Sequence, residues 1–370
     1  MTLDDDPVIR LAADLVAIDS RSFLSNIALA DRIERELAGF EVERVDYTDD
    51  AGVAKRALVA HRGPRGGYAL SGHMDTVPAT GWDSAPWTPR LDAAGMLHGL
   101  GAVDMKGQVA AAIVAAQRAG ADVPVTLLLT ADEETTKQGA SEIASRSALA
   151  RSLGLRGILV AEPTSLVPVR GHRSHIVFRA TARGVQAHSS TGRGVNANWA
   201  LVQFMAAMRP LHDRLRSDPT MQDAGYDPPF SDFNLVVDNH GTAMNVTVAT
   251  ATAHIKYRYS AKIDPSPVLR AVQAAADAAG LELVIQREGN PPELAADHPL
   301  IALAVRLTGR APTTAPFGTD ASELQGLAPC VVLGPCDVFT AHTPKECARA
   351  QDLVDAVPLF ARLLAEGLAA

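Results

Sequence analysis

The chain has 370 residues, of which 47% are hydrophobic and 21% are charged, a composition typical of globular proteins. Its 42 acidic and 34 basic side chains give a formal net charge of −8. This acidic balance, without any basic cluster, argues against nucleic-acid binding and against a polybasic membrane-binding patch. The length predicts two domains rather than one.

The ends of the chain and its cysteines bear on the cellular location. The N-terminal sequence MTLDDDPVIRLAADLV is acidic where a signal peptide would be basic, and no segment approaches the roughly 20 apolar residues of a transmembrane helix. The three cysteines form neither an even disulfide set nor a C-x-x-C metal motif: Cys330, Cys336 and Cys347. We therefore expect a cytoplasmic protein with reduced cysteines.

The first 170 residues alternate between helical and strand patterns. Helical spacing of apolar residues, or a run of alanines ending at glycine, predicts helices over residues 7–19, 27–37, 107–119 and 139–149. Short apolar segments predict strands at ALVAHR, YALSGH, VTLLLTA and GILVAEP. Such alternation predicts an α/β domain with a mostly parallel sheet covered by helices on both faces.

A different pattern begins after about residue 170. Strand patterns occur at HIVFRATA, FNLVVDN, NVTVATATAHIKYRYS and LELVIQRE, with helical patterns over residues 201–215 and 266–280. The order βαββαβ is that of a ferredoxin-like α+β sandwich. The α/β pattern resumes after GNPPEL with PLIALAVRLTG, the strand CVVLGP and a C-terminal helix. We expect a discontinuous catalytic domain, residues 1–170 and 290–370, with residues 171–289 inserted as a second domain.

Imidazole and carboxylate side chains follow the predicted strands of the first domain. His73 ends YALSGH, Glu134 and Glu162 follow the next two strands, Asp104 lies in a glycine-flanked turn, and His342 follows CVVLGP. Because the carboxyl ends of parallel strands meet at one edge of a sheet, we expect these side chains to gather there. Imidazole and carboxylate ligands suit zinc and similar divalent metals.

Two metals sharing one bridging carboxylate and a bridging water would use all five side chains. Glu133 is then free to act as general base and to return the proton to the leaving amine. His73 and Asp75 would project to the same side of an extended strand, so that Asp75 can orient the imidazole. Taken singly, each feature has a simpler interpretation. His73 and Asp75 can be a strand-end histidine beside a surface aspartate, and Glu133 and Glu134 can be a solvated pair in a loop.

Five segments resemble, in order and spacing, the metal-site motifs of a known enzyme family: GHMDTVP, GAVDMKG, ADEE, AEPT and AHTPKE. The family is that of the dinuclear aminoacylases and carboxypeptidases, which includes acetylornithine deacetylase, succinyl-diaminopimelate desuccinylase and carboxypeptidase G. The segment FGTDASELQGLAPCVVLGPCDVFTAHTPKE is most similar to the acetylornithine deacetylase branch. The resemblance implies metal-dependent hydrolysis of the amide bond of an N-acyl amino acid, as part of amino-acid biosynthesis.

The resemblance also implies roles for individual residues of the metal site. His73 and Glu162 would bind one metal, Glu134 and His342 would bind the other, and Asp104 would bridge them. The metals would be zinc, with cobalt or manganese as alternatives. Asp75 would orient His73, Glu133 would be the acid/base, and a cis peptide bond would join Asp104 to Met105.

In the second domain, GVQAHSSTGRGVNA resembles the family's dimerisation-lid motif. The resemblance implies a homodimer in which His188 reaches the partner subunit's active site and stabilises the oxyanion. Asn245 and Arg258 would bind the substrate carboxylate, and Gly318 and Thr319 would lie on a substrate-side loop. From the residues alone, a histidine such as His188 is more often a turn histidine, and a solvated strand face is the competing interpretation of Arg258.

Three departures from the family pattern bear on the substrate rather than on the metal ligands. The chain has Asn-Val-Thr-Val-Ala at 245–249 where relatives have N-V-x-P-D, Cys336 where glycine is common, and Ser174 where glycine is usual. A dipeptidase or carboxypeptidase with the same chemistry therefore stays open as an alternative, as does a non-catalytic metal-binding protein. Serine or cysteine catalysis is disfavoured because the chain lacks a G-x-S-x-G elbow.

Overall fold

The structure is a computed structural model, and it describes residues 5–368. The chain folds into two units. The first contains the described residues up to Gly171, together with Pro292–Thr313 and the described residues from Thr319 onward, and the second contains His172–Pro291 and Thr314–Gly318. The chain passes between the units within two residues of the predicted positions, and the short segment 314–318 is an addition to the predicted second domain.

Fifteen strands are present in the described part of the chain: β1 Glu41–Thr48, β2 Ala54–Arg62, β3 Tyr68–His73, β4 Arg90–Leu91, β5 Met96–His98, β6 Val125–Thr130, β7 Gly157–Val160, β8 Val169–His172, β9 Ser174–Arg183, β10 Asp232–Asp238, β11 Thr250–Tyr259, β12 Glu282–Arg287, β13 Thr313–Ala315, β14 Cys330–Val332 and β15 Cys347–Arg349. They form sheets of eight, four and three strands.

The α-helices among the described residues number ten: α1 Pro7–Val16, α2 Ile27–Glu34, α3 Lys106–Arg118, α4 Gln138–Arg146, α5 Ala148–Ser152, α6 Asn198–Ser217, α7 Ser266–Ala279, α8 Pro299–Thr308, α9 Ala321–Leu324 and α10 Ala350–Ala365. Within residues 5–368 no helix combines the length and apolar character that crossing a membrane requires.

The large sheet has the order β1-β2-β6-β3-β7-β14-β8-β13. Its four middle strands, β6, β3, β7 and β14, run parallel to one another. The flanking pairs β1-β2, β2-β6 and β14-β8 are antiparallel. The prediction of a mostly parallel sheet with helices is therefore confirmed, and the parallel part is the centre, where four strand ends share one edge.

Helix α3 shows how the packing positions the end of this sheet. It begins two residues after Asp104, and it is buried from Lys106 to Ala116 against α1, α10 and β3. Close approach requires glycine at two contacts: a Cβ on Gly107 would lie 2.4 Å from the Ala102 carbonyl oxygen, and one on Gly72 would lie 2.9 Å from Val109. The turn that carries Asp104 is therefore held between α3 and the end of β3.

The second unit has the order β9-α6-β10-β11-α7-β12, with an antiparallel sheet of order β10-β11-β9-β12. This topology confirms the predicted ferredoxin-like sandwich. Along β11 one face is buried: Ala251, Ala253, Ile255, Tyr257 and Tyr259. That face forms a hydrophobic core with residues of α6 and α7.

Some predicted boundaries differ from the structure. Strand β1 was not predicted, because most of its side chains are polar and only Val45 and Tyr47 are buried. The predicted helix over 139–149 is two helices, because Ser147 ends α4 and accepts the Ala150 N–H as the N-cap of α5. The predicted strand from 245 begins only at Thr250, since residues before it bond to the loop around His188.

Candidate metal centre

The four parallel strands bring the predicted ligands to one edge of the sheet. His73 is the last residue of β3, Glu134 follows β6, Glu162 follows β7 and His342 lies in the loop after β14. Asp104 precedes α3. All five belong to the first unit, so the site is built within one unit of the chain.

The first group of donors consists of His73, Asp104 and Glu162. Each offers one ligand atom, and these atoms all lie within 4.8 Å of one another. His73 Nε2 lies 3.0 Å from Asp104 Oδ1, and His73 and Glu162 are buried. The carbonyl oxygen of Asp75, 3.0 Å away, accepts a hydrogen bond from His73 Nδ1, which leaves Nε2 directed at the group.

The second group consists of Asp104, Glu134 and His342, within the same 4.8 Å limit. His342 Nε2 lies 3.2 Å from Asp104 Oδ2 and 3.0 Å from Glu134 Oε1. Asp104 therefore faces one imidazole with Oδ1 and the other with Oδ2. This is the geometry of a carboxylate that bridges two metals.

The charges at this edge show that the residues fit divalent cations. Burial, reinforced by the charge of Asp104, raises the pKa of Glu134 to about 7 and raises the pKa of Glu162 well above its ordinary range. The hydrogen bonds to Asp104 and Glu134 raise the pKa of His342 to about 11. The buried carboxylates thus attract positive charge, which protons or metals can supply. Two imidazoles and three carboxylates are the donor types of hydrolytic zinc sites.

Glu133 lies beside the two groups and belongs to neither. Burial raises the pKa of its carboxyl group, and the Lys137 ammonium lies 3.7 Å from its Oε1. A carboxyl group with a raised pKa is suited to accepting and returning a proton near neutral pH.

Asp75 contacts the site differently from the prediction. Its Oδ1 lies 3.7 Å from His73 Nδ1, beyond hydrogen-bond distance, so the carbonyl oxygen rather than the carboxylate holds the imidazole. The carboxylate instead accepts the N–H groups of Glu133 at 3.1 Å and Glu134 at 3.2 Å, and the Ser22 hydroxyl at 2.8 Å. Asp75 therefore fixes the backbone of the paired glutamates.

Two further carboxylates at the site were missed by the sequence analysis. Glu346 is buried, and its Oε1 accepts N–H groups from Gly101, Val103 and Asp104 at 2.9 to 3.2 Å. Asp320, also buried, accepts the Thr130 hydroxyl at the end of β6. Each is the last residue of a segment that had been singled out: Glu346 ends AHTPKE, and Asp320 follows Gly318 and Thr319 on the substrate-side loop. An acid in such a segment was the available signal.

The loops around the site adopt unusual backbone conformations. Among the described residues, seven that are not glycine have positive φ, and six of them lie in the loops after β6, β7 and β14: Asp132, Lys137, Ser165, Leu166, Cys336 and His342. The seventh is His240 in the second unit. The Asp104–Met105 peptide bond is cis, as the resemblance implied. Left-handed conformations of this kind are concentrated at functional sites in proteins.

The remaining predicted site residues lie mainly in the second unit. His188 and Asn245 are brought together, since the Asn245 carbonyl accepts the Ser189 N–H at 3.0 Å, and His188 Nδ1 lies 2.8 Å from the Ser190 hydroxyl. Arg258 donates to Asp232 on β10 at 2.8 Å. Gly318 belongs to the second unit, whereas Thr319 is buried in the first.

Comparison with known families gives a match over residues 69–366 to the model of peptidase family M20/M25/M40. Among curated proteins, the chain is 33% identical to an acetylornithine deacetylase of Myxococcus xanthus, with 98% of each chain covered. It is 31% identical to an acetylornithine deacetylase of Proteus mirabilis, covering 89% of this chain and 87% of that protein.

Solved structures show the same fold at lower sequence identity. Human carnosine dipeptidase 1 matches with a TM-score of 0.74 and 16% identity, covering 100% of this chain and 98% of that chain. The metallo-carboxypeptidase Sso-CP2 of Sulfolobus solfataricus matches with a TM-score of 0.74 and 15% identity, covering 97% and 98%. Both similarities are similarities of fold.

Proposed function

Because the chain belongs to peptidase family M20/M25/M40, a family of metal-dependent hydrolases, we propose that it cleaves the amide bond of an N-acyl amino acid. The products are a carboxylate and a free amine. The observation that carries the proposal is the pair of donor groups sharing Asp104, with Glu133 beside them. The acetylornithine deacetylases that align over most of the chain favour an N-acetyl substrate of that type.

His73, Glu162 and Asp104 would hold one divalent cation, and Asp104, Glu134 and His342 the other, most simply both zinc. Such cations supply Lewis-acid activation of a water molecule and polarisation of the scissile carbonyl. Glu133 accepts a proton from the attacking water and delivers it to the leaving nitrogen, a task for which its raised pKa is suited. Asp75 fixes the backbone of Glu133 and Glu134 through their N–H groups. Glu346 holds the turn of Asp104 in the same way.

We assign the first unit as the catalytic domain and the second as a lid that forms a homodimer. The support is an exposed apolar patch beside the His188 loop, in which Trp199 is 75% exposed and Met244 fully so, and exposed Val195 lines the same pocket. Patches of this kind mark protein–protein contacts. In the dimer, His188 stabilises the oxyanion in the partner's site, and Asn245 and Arg258 bind the substrate carboxylate. Gly318 and Thr319 belong to a loop on the substrate side of the site.

The second candidate is an exopeptidase, a dipeptidase or carboxypeptidase with the same acid/base and metal ligands. It is favoured by the fold similarity to a dipeptidase and a carboxypeptidase. A desuccinylase acting on N-succinyl-diaminopimelate would use the same chemistry on a different acyl group and a different amino acid. A non-catalytic metal-binding protein is the weakest candidate, because Glu133 and all five ligands are in place. The cytoplasmic location expected from the sequence stays a prediction.

The test is amine release from N-acetylornithine by metal-reconstituted protein, run beside N-succinyl-diaminopimelate and a simple dipeptide. We expect the acetylated substrate to be turned over fastest, and a chelator to abolish the reaction. A dipeptide cleaved faster than both acylated compounds would replace the deacylase with the exopeptidase. Metal-loaded protein that cleaves none of a broad panel of acylated amino acids and dipeptides would overturn amide hydrolysis.

A further inference from the structure

Two buried polar residues of the β1-β2 hairpin face each other across the strands. Tyr47 on β1 is directly paired with Lys55 on β2 in the antiparallel register. Both are buried, Lys55 with 1% of its surface exposed. Side chains of directly opposed residues project to the same face of a sheet, so the hydroxyl and the ammonium group point the same way.

Both groups bind one carboxylate, that of Asp132 at the end of β6. The Lys55 ammonium lies 2.7 Å from Oδ1, and the Tyr47 hydroxyl donates to Oδ2 at 2.8 Å. Lys55 also donates to the Ser22 carbonyl. Both oxygens of a carboxylate with 2% exposure are thereby fixed by side chains from another part of the sheet.

Asp132 is the residue that starts the turn containing Glu133 and Glu134. Its φ is 63°, a left-handed conformation, and its carbonyl accepts the N–H groups of Thr135, Thr136 and Lys137. On the other side of the turn, the Asp75 carboxylate accepts the N–H groups of Glu133 and Glu134. The turn is therefore held at Asp132 by the hairpin and at the next two residues by Asp75.

We propose that Tyr47 and Lys55 are positioning residues for the reaction: by fixing the Asp132 carboxylate they hold the start of the turn that directs Glu133 to the substrate. This inference rests on the proposed function. A purely structural role does not account for the choice of residues, because apolar side chains in place of all three of Tyr47, Lys55 and Asp132 would commonly stabilise the fold at least as well as the buried ion pair. A charged clamp, however, sets the direction of a carboxylate, and misplacement of a catalytic group by about 1 Å can cost about a hundredfold in rate.

The test uses Tyr47→Phe, which removes one hydroxyl and keeps the ring. We expect kcat to fall at least about tenfold, with KM and metal content unchanged, because Glu133 is misdirected while ligands and pocket remain. We also expect faster hydrogen–deuterium exchange in a peptide covering residues 131–137. The matched control is Thr126→Val, which also removes one buried hydroxyl. Thr126 lies near the start of β6, the strand that precedes Asp132, and its hydroxyl lies 3.0 Å from Nδ1 of His61 on β2. The control should lower stability without changing kcat or that exchange.

The exchange measurement needs no substrate, so it separates this inference from the proposed function. Unchanged exchange at 131–137 in Tyr47→Phe would overturn the inference, whatever the substrate proves to be. Faster exchange with an unchanged kcat would overturn it as well. If Tyr47→Phe did not fold, Lys55→Arg, which keeps the charge but displaces it, would be measured in the same two ways. Joining Tyr47→Phe to Asp132→Asn should reduce kcat by less than the product of the single effects, since both act through one contact.

Discussion

The two units of the chain place their charged groups in different surroundings. At the metal centre of the first unit, carboxylates and an imidazole are buried within hydrogen-bond distance of one another. In the sheet of the second unit, by contrast, Arg258 and Asp232 form a partly exposed pair on the outer face. Burying the charged groups of the first unit costs folding free energy through desolvation, and a bound cation is required to compensate it. A surface ion pair contributes at most about 1 kcal/mol to stability and needs no further partner.

This difference separates the site that lies within one unit from the contribution that we propose the second unit makes to a homodimer. The candidate metal donors lie within the first unit, because both groups that share Asp104, and Glu133 beside them, belong to it. The residues proposed for the second unit lie beside exposed apolar side chains such as Trp199. We therefore expect substitutions in the first unit to act on metal and chemistry, and those in the second to act on the dimer and the substrate.

The largest effect is expected for Asp104→Ala, which breaks the shared element of both donor groups. The variant should retain neither metal after dialysis and should show no activity, whereas His342→Ala should retain up to one metal per chain. Metal analysis of the dialysed proteins measures this. Two metals retained by Asp104→Ala would remove Asp104 from its bridging role.

Glu133→Gln sharpens the assignment within the first unit. It keeps the size of the side chain and removes its ability to accept a proton, so we expect kcat to fall by about 10² to 10⁴-fold with both metals retained. The control is Glu142→Gln on α4, whose carboxylate accepts from the Arg146 and Gln138 side chains of the same helix and which should leave kcat unchanged. Full activity in metal-loaded Glu133→Gln would exclude Glu133 as the acid/base.

His188→Ala tests the contribution of the second unit. Loss of an oxyanion donor should lower kcat by about 10² to 10³-fold while the metal content stays that of the native chain. Mixing this variant with Glu133→Gln under conditions of subunit exchange should restore roughly a quarter of native activity, because half of the dimers would carry one intact site. Mixtures that stay as inactive as their components would show that His188 does not act across subunits.

The smallest effect is a pH dependence of the metal-free protein. Burial raises the pKa of Glu134 and Glu346 from 4.5 to about 7, so the folded chain holds protons that the unfolded chain has released. Their contribution to stability is therefore present at low pH and is lost as the pH rises from about 4.5 to about 7. The raised pKa of His342 acts in the same direction above pH 6.5.

We accordingly expect the Tm of metal-free protein to fall by several degrees between pH 5 and pH 8, and the increase in Tm on adding zinc to grow over the same range. Thermal unfolding with and without zinc at several pH values measures both. A metal-free Tm that rises with pH would show that the buried carboxylates do not dominate this range.

Most of the fold could be predicted because it depends on periodic patterns. Apolar runs at fixed spacing gave the central strands and the ferredoxin-like order of the second unit, and the ligands followed from their positions at strand ends. Strand β1 was missed because a mostly polar strand at the sheet's edge lacks that pattern. Its Tyr47, and Lys55 opposite, gave no signal in sequence, since their partner Asp132 is distant in the chain.

Which residues lie at the site could be predicted better than the hydrogen bonds that they make there. Strand alternation placed Asp75 on the same side as His73, but it did not determine whether the carboxylate or the carbonyl would meet the imidazole. Likewise, Glu346 lies near His342 in sequence, yet its three N–H donors come from the turn of Asp104. Such contacts depend on loops whose conformation is set by tertiary packing rather than by periodicity.

The most direct test of the metal centre is anomalous diffraction from crystals grown with zinc. The account predicts two anomalous peaks per chain, roughly 3.5 to 4 Å apart, with Asp104 between them. One peak should be ligated by His73 and Glu162 and the other by Glu134 and His342. A single peak, or peaks that do not share Asp104, would contradict a dinuclear centre bridged by this carboxylate.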